Sequence, residues 1–452
     1  MNENENIFNV EYDLLPPSGW DVIKLRHIFR FGKGLSITKE NLTEDGIPVI
    51  SYGQIHSKAN KGTGLNDSLI RFVPEEYLRH GKSALVHRDD IVFADTSEDY
   101  AGIGNCVLID RDCTMFAGYH AIVAHPKKQN FFSKYLAYQF LTDIWRTQIR
   151  AQVMGVKVFS VSQALLGRTS VLLPPIEEQK AIASTLDEEC AKIDSIISDL
   201  EQQLSVLNQY RESVITETVT KGLNRKGDYY DSGIGWIGEI PKGWDVIKLR
   251  YLGWLQNGIS KDADSFGSGY PFVSYGDVYN NRIVPEMVVG LVESSAQDRR
   301  QFSVKYGDVF FTRTSETIEE IGIASTCLHT IENATFAGFL IRFRPTTGSL
   351  YPGFSKYYFR AELLRRYFVK EMMIVTRASL GQNLLKNLPV LVPPIEEQKA
   401  IARYLDEKCN EIDEIVAVKE QQLANIKVCR RAMIYEYVTG KKRVKGAATY
   451  GN

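Results

Sequence analysis

The sequence predicts an α+β protein made of one plan used twice. Two pseudo-repeated globular α/β modules are joined by two long helices that pair as an antiparallel coiled coil. Three observations carry this. Residues 173–183, Leu-Pro-Pro-Ile-Glu-Glu-Gln-Lys-Ala-Ile-Ala, return at 392–402 with the single change of Leu173 to Val392. An apolar repeat with the helical period follows each copy. Short β-type runs separated by glycines and polar turns fill the rest of each half. Ten identities in eleven positions, 219 residues apart, mark a duplication.

Within the first module, 1–172, the opening segment Met1–Val10 is polar and acidic, unlike a signal peptide. Gly19-Trp20-Asp21-Val22-Ile23-Lys24-Leu25-Arg26 then recurs intact at 243–250. Pro48 to Gly53 matches Pro271 to Gly276, Asp90 to Glu98 matches Asp308 to Glu316, and Phe116-Ala117-Gly118 matches 336–338. Ser133-Lys134-Tyr135 matches Ser355-Lys356-Tyr357. Ile47–Ser51, Asp90–Ala94 and Asp308–Thr312 read as strands. One helix closes each module, at 133–150 and 355–373, with Ser133 and Ser355 as N-caps.

The first long helix occupies 173–222. Two prolines suit the residues just before a helix, and two glutamates suit its positive N-terminal end. Leu186, Cys190, Ile193, Ile197, Leu200, Leu204, Leu207 and Val214 alternate at four- and three-residue spacing, the pattern of a coiled-coil seam. The linker and second module cover 223–391, the stretch 222–243 showing no helical period. The second helix and tail cover 392–452. Its seam runs Leu405, Cys409, Ile412, Val416, Leu423, Ile426 and Met433, interrupted by Lys419.

The 452 residues suit two or three domains, and a 44% hydrophobic content suffices for a core in each. No apolar run reaches the roughly 20 residues of a membrane span. Six cysteines with no Cys-x-x-Cys pair fit reduced thiols in a cytoplasmic protein. Chemistry is conspicuously missing from the motifs. Gly81-Lys82-Ser83 lacks the earlier glycine of a phosphate-binding loop, since Glu76 stands there. The Pro-Pro pairs lack the flanking residues of an amino-methyltransferase motif. Glu178-Gln179-Lys180 has nuclease-like spacing but no partnering aspartate on a strand upstream. Six of seven histidines lie in the first half, so the repeats share no metal or nucleophile constellation. The chain is therefore expected to bind no metal or cofactor and to be non-catalytic by itself.

Charge is uneven although the formal net charge is only −1. Residues 126–170 carry seven Lys/Arg against Asp143, and 342–389 carry nine against Glu362 and Glu371. The stretch 176–217 reverses this, with ten acids and three basic residues. Basic modules on an acidic rod suggest phosphate binding by the modules and protein binding by the rod. Asp95 stands opposite Arg313; arginine reads guanine bidentately, and a carboxylate accepts from the cytosine amino group. Gln382 and Asn383, suited to adenine, face Met154 to Lys157 in the other copy. With Lys33, Lys127, Lys128, Lys157, Lys261 and Arg377 these form the candidate DNA contacts. If each module reads half of a DNA site, a two-fold axis relates the modules, and a dyad perpendicular to the helices makes them antiparallel. About 40 residues would then form a rod of roughly 60 Å whose overlap sets the spacing.

The Pro-Pro-Ile-Glu-Glu-Gln-Lys motif with its long helix resembles the specificity subunit of type I restriction–modification systems. So does the run Asp231-Ser232-Gly233-Ile234-Gly235-Trp236-Ile237-Gly238-Glu239-Ile240-Pro241 followed by Trp244. The resemblance covers essentially the whole chain. It implies two target-recognition domains reading a bipartite double-stranded DNA sequence. It also implies a coiled coil that spaces the half-sites and docks two methyltransferase subunits, with restriction subunits completing the complex. S-adenosylmethionine, ATP and Mg would reside on those partners, none on this chain. Glu177, Glu178, Gln179, Glu396, Glu397 and Gln398 are the expected subunit-binding residues. The competing expectation is an architectural tether carrying two modules for ligands other than DNA.

Overall fold

The computed structural model describes residues 16–127, 130–153, 158–315, 320–371 and 378–444. Two compact units emerge, and neither is a continuous stretch of chain. One comprises 1–200 with 422–452, the other 201–421. Each long helix therefore gives one end to each unit. The helices run Ile176–Lys221 and Ile395–Val438.

In the first unit a central antiparallel sheet has the spatial order 29–33, 121–126, 91–94, 106–108. Its register includes Ala121 opposite Ala94 and Ile122 opposite Lys33. A second sheet sets Ile47–Ile50 parallel to Met115–Ala117. The first strand, Asp21–Lys24, pairs antiparallel with the last, Ser170–Leu173, so the module is clasped shut just before the helix begins. The second unit repeats this plan. Its central sheet is ordered 253–257, 340–345, 309–312, 324–326, Phe272 and Val273 pair parallel with Thr335 and Phe336, and Asp245–Lys248 clasps Pro389–Val392.

The pairing direction of the helices is fixed inside each unit. In the first, Asp194 meets Arg430 at 2.9 Å and Glu178 meets Arg443, so early residues of one helix face late residues of the other. Ile434, Tyr437 and Val438 join the core of Ile182, Leu186 and Cys190. In the second, Arg211 pairs with Asp413 at 2.6 Å, and Val214, Ile215 and Val219 share a core with Ile401, Leu405 and Cys409. The helices are antiparallel in both. Of the seam residues, Leu186, Leu200, Leu405 and Ile412 are buried, while Ile193, Leu207, Leu423 and Ile426 are half-buried. Lys419 is half-buried too.

Three expectations need correction. The closing helix of each module is two helices, Ser133–Phe140 and Asp143–Arg150, then Pro352–Tyr358 and Glu362–Glu371. The Thr142 hydroxyl donates to the Gln139 carbonyl at 2.6 Å where the first pair breaks. The N-caps are Phe132 and Tyr351, not the serines. The stretch 222–243 is packed rather than a loose linker: Tyr229–Asp231 pairs with Glu239–Pro241, and Ile237 and Ile240 enter the second core.

Candidate nucleic-acid interface

The repeated motif first explains itself as a latch. Trp20 donates its indole N–H to Glu178 at 3.1 Å, and Trp244 donates to Glu397 at 2.9 Å. The Gln179 amide is buried; its oxygen accepts the Phe132 backbone N–H at 2.8 Å and its nitrogen donates to the Pro174 carbonyl at 2.7 Å. Gln398 does the same with Tyr351 and Pro393, at 2.7 and 2.9 Å. Two turns on, Asp187 takes Tyr138 and Lys134, and Asp406 takes Tyr357 and Lys356. Gln179 and Gln398 are thus buried and bonded within their own units, and Glu178 and Glu397 bond to the tryptophans. Glu177 and Glu396 stay exposed, bridged at 2.8 Å to Lys180 and Lys399. The latch also revises one alignment. Phe132 and Tyr351 occupy equal positions, so Tyr138, not Tyr135, is the counterpart of Tyr357. Lys134 and Lys356 reach equivalent aspartates from positions three residues out of register.

Much of the basic charge is internal. Arg146 donates to the Phe140 and Ala101 carbonyls, and its guanidinium is held below the usual range by burial. Arg150 pairs with Asp143. In the second unit Arg344 pairs with Asp308 at 2.5 Å, and Arg342 donates to the Ser303 carbonyl at 2.6 Å. Burial lowers Arg342 to about 10. Arg360 binds four backbone carbonyls, those of Val278, Tyr279, Asn281 and Ala324. Among the described residues, these five arginines of the basic runs are therefore scaffold, because a guanidinium can satisfy several buried carbonyls at once.

Asp95 and Arg313 do occupy one scaffold position. Asp95 donates its N–H to the His120 carbonyl at 3.1 Å and accepts from Val161 at 2.7 Å. Arg313 donates to the Phe339 carbonyl at 2.9 Å and accepts from Leu380 at 2.7 Å. What surrounds them differs. Asp95 Oδ1 lies 3.0 Å from His120 Nδ1, and Tyr52 sets its ring edge-on to both His120 and Tyr119. His56 places Nε2 2.7 Å from the Thr96 carbonyl and Nδ1 3.1 Å from the Asn105 amide, which selects the Nε2–H tautomer. In the second unit Tyr275 donates to the equivalent carbonyl of Thr314 at 3.0 Å and stacks on Tyr279, while Phe339 is 64% exposed.

The other candidates scatter. Lys33 and Asn383 are exposed, and Lys127 is exposed with its ammonium on the Arg26 carbonyl. Lys261 is tied to Asp298 at 3.0 Å, and Gln382 donates to Asn257 at 2.9 Å. Lys128, Lys157 and Arg377 lie outside the described residues. A cleft of about 660 Å³ in the second unit, lined by Arg299, Arg300, Lys305, Thr330 and Asn333, was not anticipated. Its three cations fall within seven residues, Arg299 to Lys305, a short cluster outside the two basic runs counted along the sequence. Among the described residues no helix is long and apolar enough to cross a membrane.

The family profile described as Type I restriction modification DNA specificity domain matches residues 17–205 and again 241–425. The chain belongs to this family. The chain is similar to the Type I restriction enzyme EcoKI specificity subunit of Escherichia coli, with 24% identity over 94% of this chain and 89% of that one. It is also 22% identical to the Type I restriction enzyme MjaVIII specificity subunit of Methanocaldococcus jannaschii, over 98% of this chain and 97% of the other. Among solved structures, one described as the basis of complex assembly and conformational transition of the type I R-M system superposes with a TM-score of 0.70 at 18% identity. It covers 94% of this chain and 99% of that one, which supports the fold. The two copies of the specificity domain thus account for both halves of the repeat.

Proposed function

We propose that each module reads one half of a bipartite double-stranded DNA target, at the edge marked by Asp95 and His120 in the first and by Arg313 and Phe339 in the second. One observation carries this reading. The latch keeps its chemistry in both copies, tryptophan to glutamate and glutamine to backbone, whereas this edge keeps its backbone bonds and reverses its side-chain charge. Scaffold positions repeat; discriminating positions diverge. Arg313 suits guanine O6 and N7, Phe339 suits the thymine methyl, and Asp95 suits the cytosine amino group. Lys33, Lys127, Arg300 and Lys305 would meet phosphates.

The long helices would space the half-sites and dock two methyltransferase subunits. Exposed apolar side chains support docking there: Val206 and Tyr210 one turn apart on the first helix, Ile415 and Val418 one turn apart on the second. Restriction subunits would join them. S-adenosylmethionine, ATP and Mg would be held by these partners, and the assembly would work on DNA in the cytoplasm. Mapping methylated bases in cells that carry this chain with its partners tests the reading. Replacing residues 1–172 by another module should change one half-site and leave the other. A change in both, or in neither, overturns it.

A further inference from the structure

In the first unit three potential metal ligands converge at the end of the central sheet away from Asp95. Asp90 directly precedes the strand Ile91–Ala94, His87 lies three residues earlier, and His125 stands on the neighbouring strand Ala121–Pro126. One ligand atom from each lies within 4.8 Å of the others. Asp90 Oδ2 accepts the His87 backbone N–H at 2.7 Å and lies 2.9 Å from His125 Nδ1. His87 Nδ1 is 3.6 Å from the same oxygen. The carboxylate is all but sealed, its side chain 3% exposed, while His87 opens to solvent at 74%.

The repeat shows what this carboxylate requires. Asp308 builds the same turn, accepting the Lys305 backbone N–H at 2.8 Å. Arg344 stands where His125 does, each one residue before a proline at the strand end, and it grips both carboxylate oxygens at 2.5 Å. A buried carboxylate needs a compensating cation, and arginine supplies one permanently. In the first unit the guanidinium is gone and two imidazoles converge on the vacated charge. Neutral imidazoles carry no charge of their own, but each presents a lone pair.

We propose that His87, Asp90 and His125 bind one divalent transition-metal ion of the zinc class, which does for Asp90 what Arg344 does for Asp308. Two nitrogens and one oxygen are a donor set suited to zinc, with water completing a tetrahedron. Donors on such an ion stand roughly 3.4 Å apart, given metal–ligand distances of about 2.1 Å. The 2.9 and 3.6 Å separations at Asp90 bracket that value. The ion would tie the turn at His87 to the strand at His125 and would lie clear of the reading edge. A proton shared by His125 and Asp90 is the competing source of charge.

The test uses tag-free full-length chain, stripped with EDTA and kept reduced with a phosphine, and takes Co²⁺ as probe. The wild type should bind one equivalent with visible d–d absorption, release it to Zn²⁺, and melt at a higher temperature when loaded. His87→Ala and His125→Arg should each take the stoichiometry from one to zero. His125→Arg, which restores the guanidinium of the second module, should also melt near the loaded wild type without metal. A wild type that binds no Co²⁺, or either variant keeping the equivalent, overturns the site. Stabilisation by mild acid alone, with no metal bound, assigns the charge to a proton and overturns it as well.

Discussion

Gly440 sits directly against the Trp20 indole. A Cβ at this glycine would lie 3.2 Å from two ring atoms and 2.5 Å from Pro17, and its φ is +70°. Gly222 stands in the same relation to Trp244 in the second unit, with φ +71° and a Cβ contact of 3.1 Å to the ring. Each tryptophan thus faces the start of one long helix through its N–H and the end of the other through its ring. We expect Gly440→Ala and Gly222→Ala each to cost about 1–3 kcal/mol, since the left-handed backbone alone costs about 1–2. Gly227→Ala, with an ordinary φ and no contact under 3.5 Å, should be nearly neutral. Urea unfolding of the three variants checks this.

Gln179→Met and Gln398→Met keep the side-chain length and remove the amide. Each leaves a buried N–H and a carbonyl without partners, so a loss of about 2–4 kcal/mol is expected. Glu177→Gln, on the exposed side of the same turn, should fall within about 0.5 kcal/mol of wild type. Equal losses for the inward and outward residues would remove the latch interpretation.

Arg313→Ala should relax one base position in one half-site and leave the other half-site unchanged, at a cost of about 1–3 kcal/mol in discrimination. Arg300→Ala should instead weaken binding to all sequences alike and lower its salt dependence. Competition binding with the methyltransferase subunits present distinguishes these outcomes.

Burial pushes the thiols of Cys106 and Cys327 up to about 12, and the Cys327 thiol donates to the His329 carbonyl at 2.7 Å. At pH 8 about one in ten thousand of such thiols is ionised. Iodoacetamide should therefore label exposed Cys429 first in the native chain, and Cys106 and Cys327 only after unfolding, as read by peptide mass spectrometry. The sign of the linkage follows. The folded state holds these protons more tightly than the ordinary value of 9.0, so their contribution is complete below pH 9 and is lost as pH rises toward 12. Unfolding followed by urea from pH 8 to 10.5 should show declining stability.

The repeat, the two long helices and the seam at Leu186 and Leu405 are legible in the sequence because helical period and duplication are properties of local order. Antiparallel pairing is expected from the sequence only on the condition that each module reads half of a DNA site, and the Asp194–Arg430 and Arg211–Asp413 pairs show it within each unit. The site was harder to read. Asp95 against Arg313 shows as a substitution within a matched frame, but His120 and Phe339 join them only through strand pairing. The basic runs misled for a related reason: a count of charges along the chain does not distinguish Arg168, which is exposed, from Arg342, which faces the Ser303 carbonyl. The Ser-Lys-Tyr match misled too, since side chains three residues apart on a helix share a face and reach the same aspartate.

By itself, then, the sequence determined what repeats: one scaffold used twice, with a proline-started helix after each copy. Only the tertiary structure decided what each repeated residue is for. Glu178 and Gln179 form a latch because Trp20 and Phe132, more than forty residues away along the chain, lie within hydrogen-bond reach. Asp90 came to face His125 where Asp308 faces Arg344 because neighbouring strands bring distant residues together. Period and composition act between neighbours in sequence, whereas burial and hydrogen bonding act between neighbours in space.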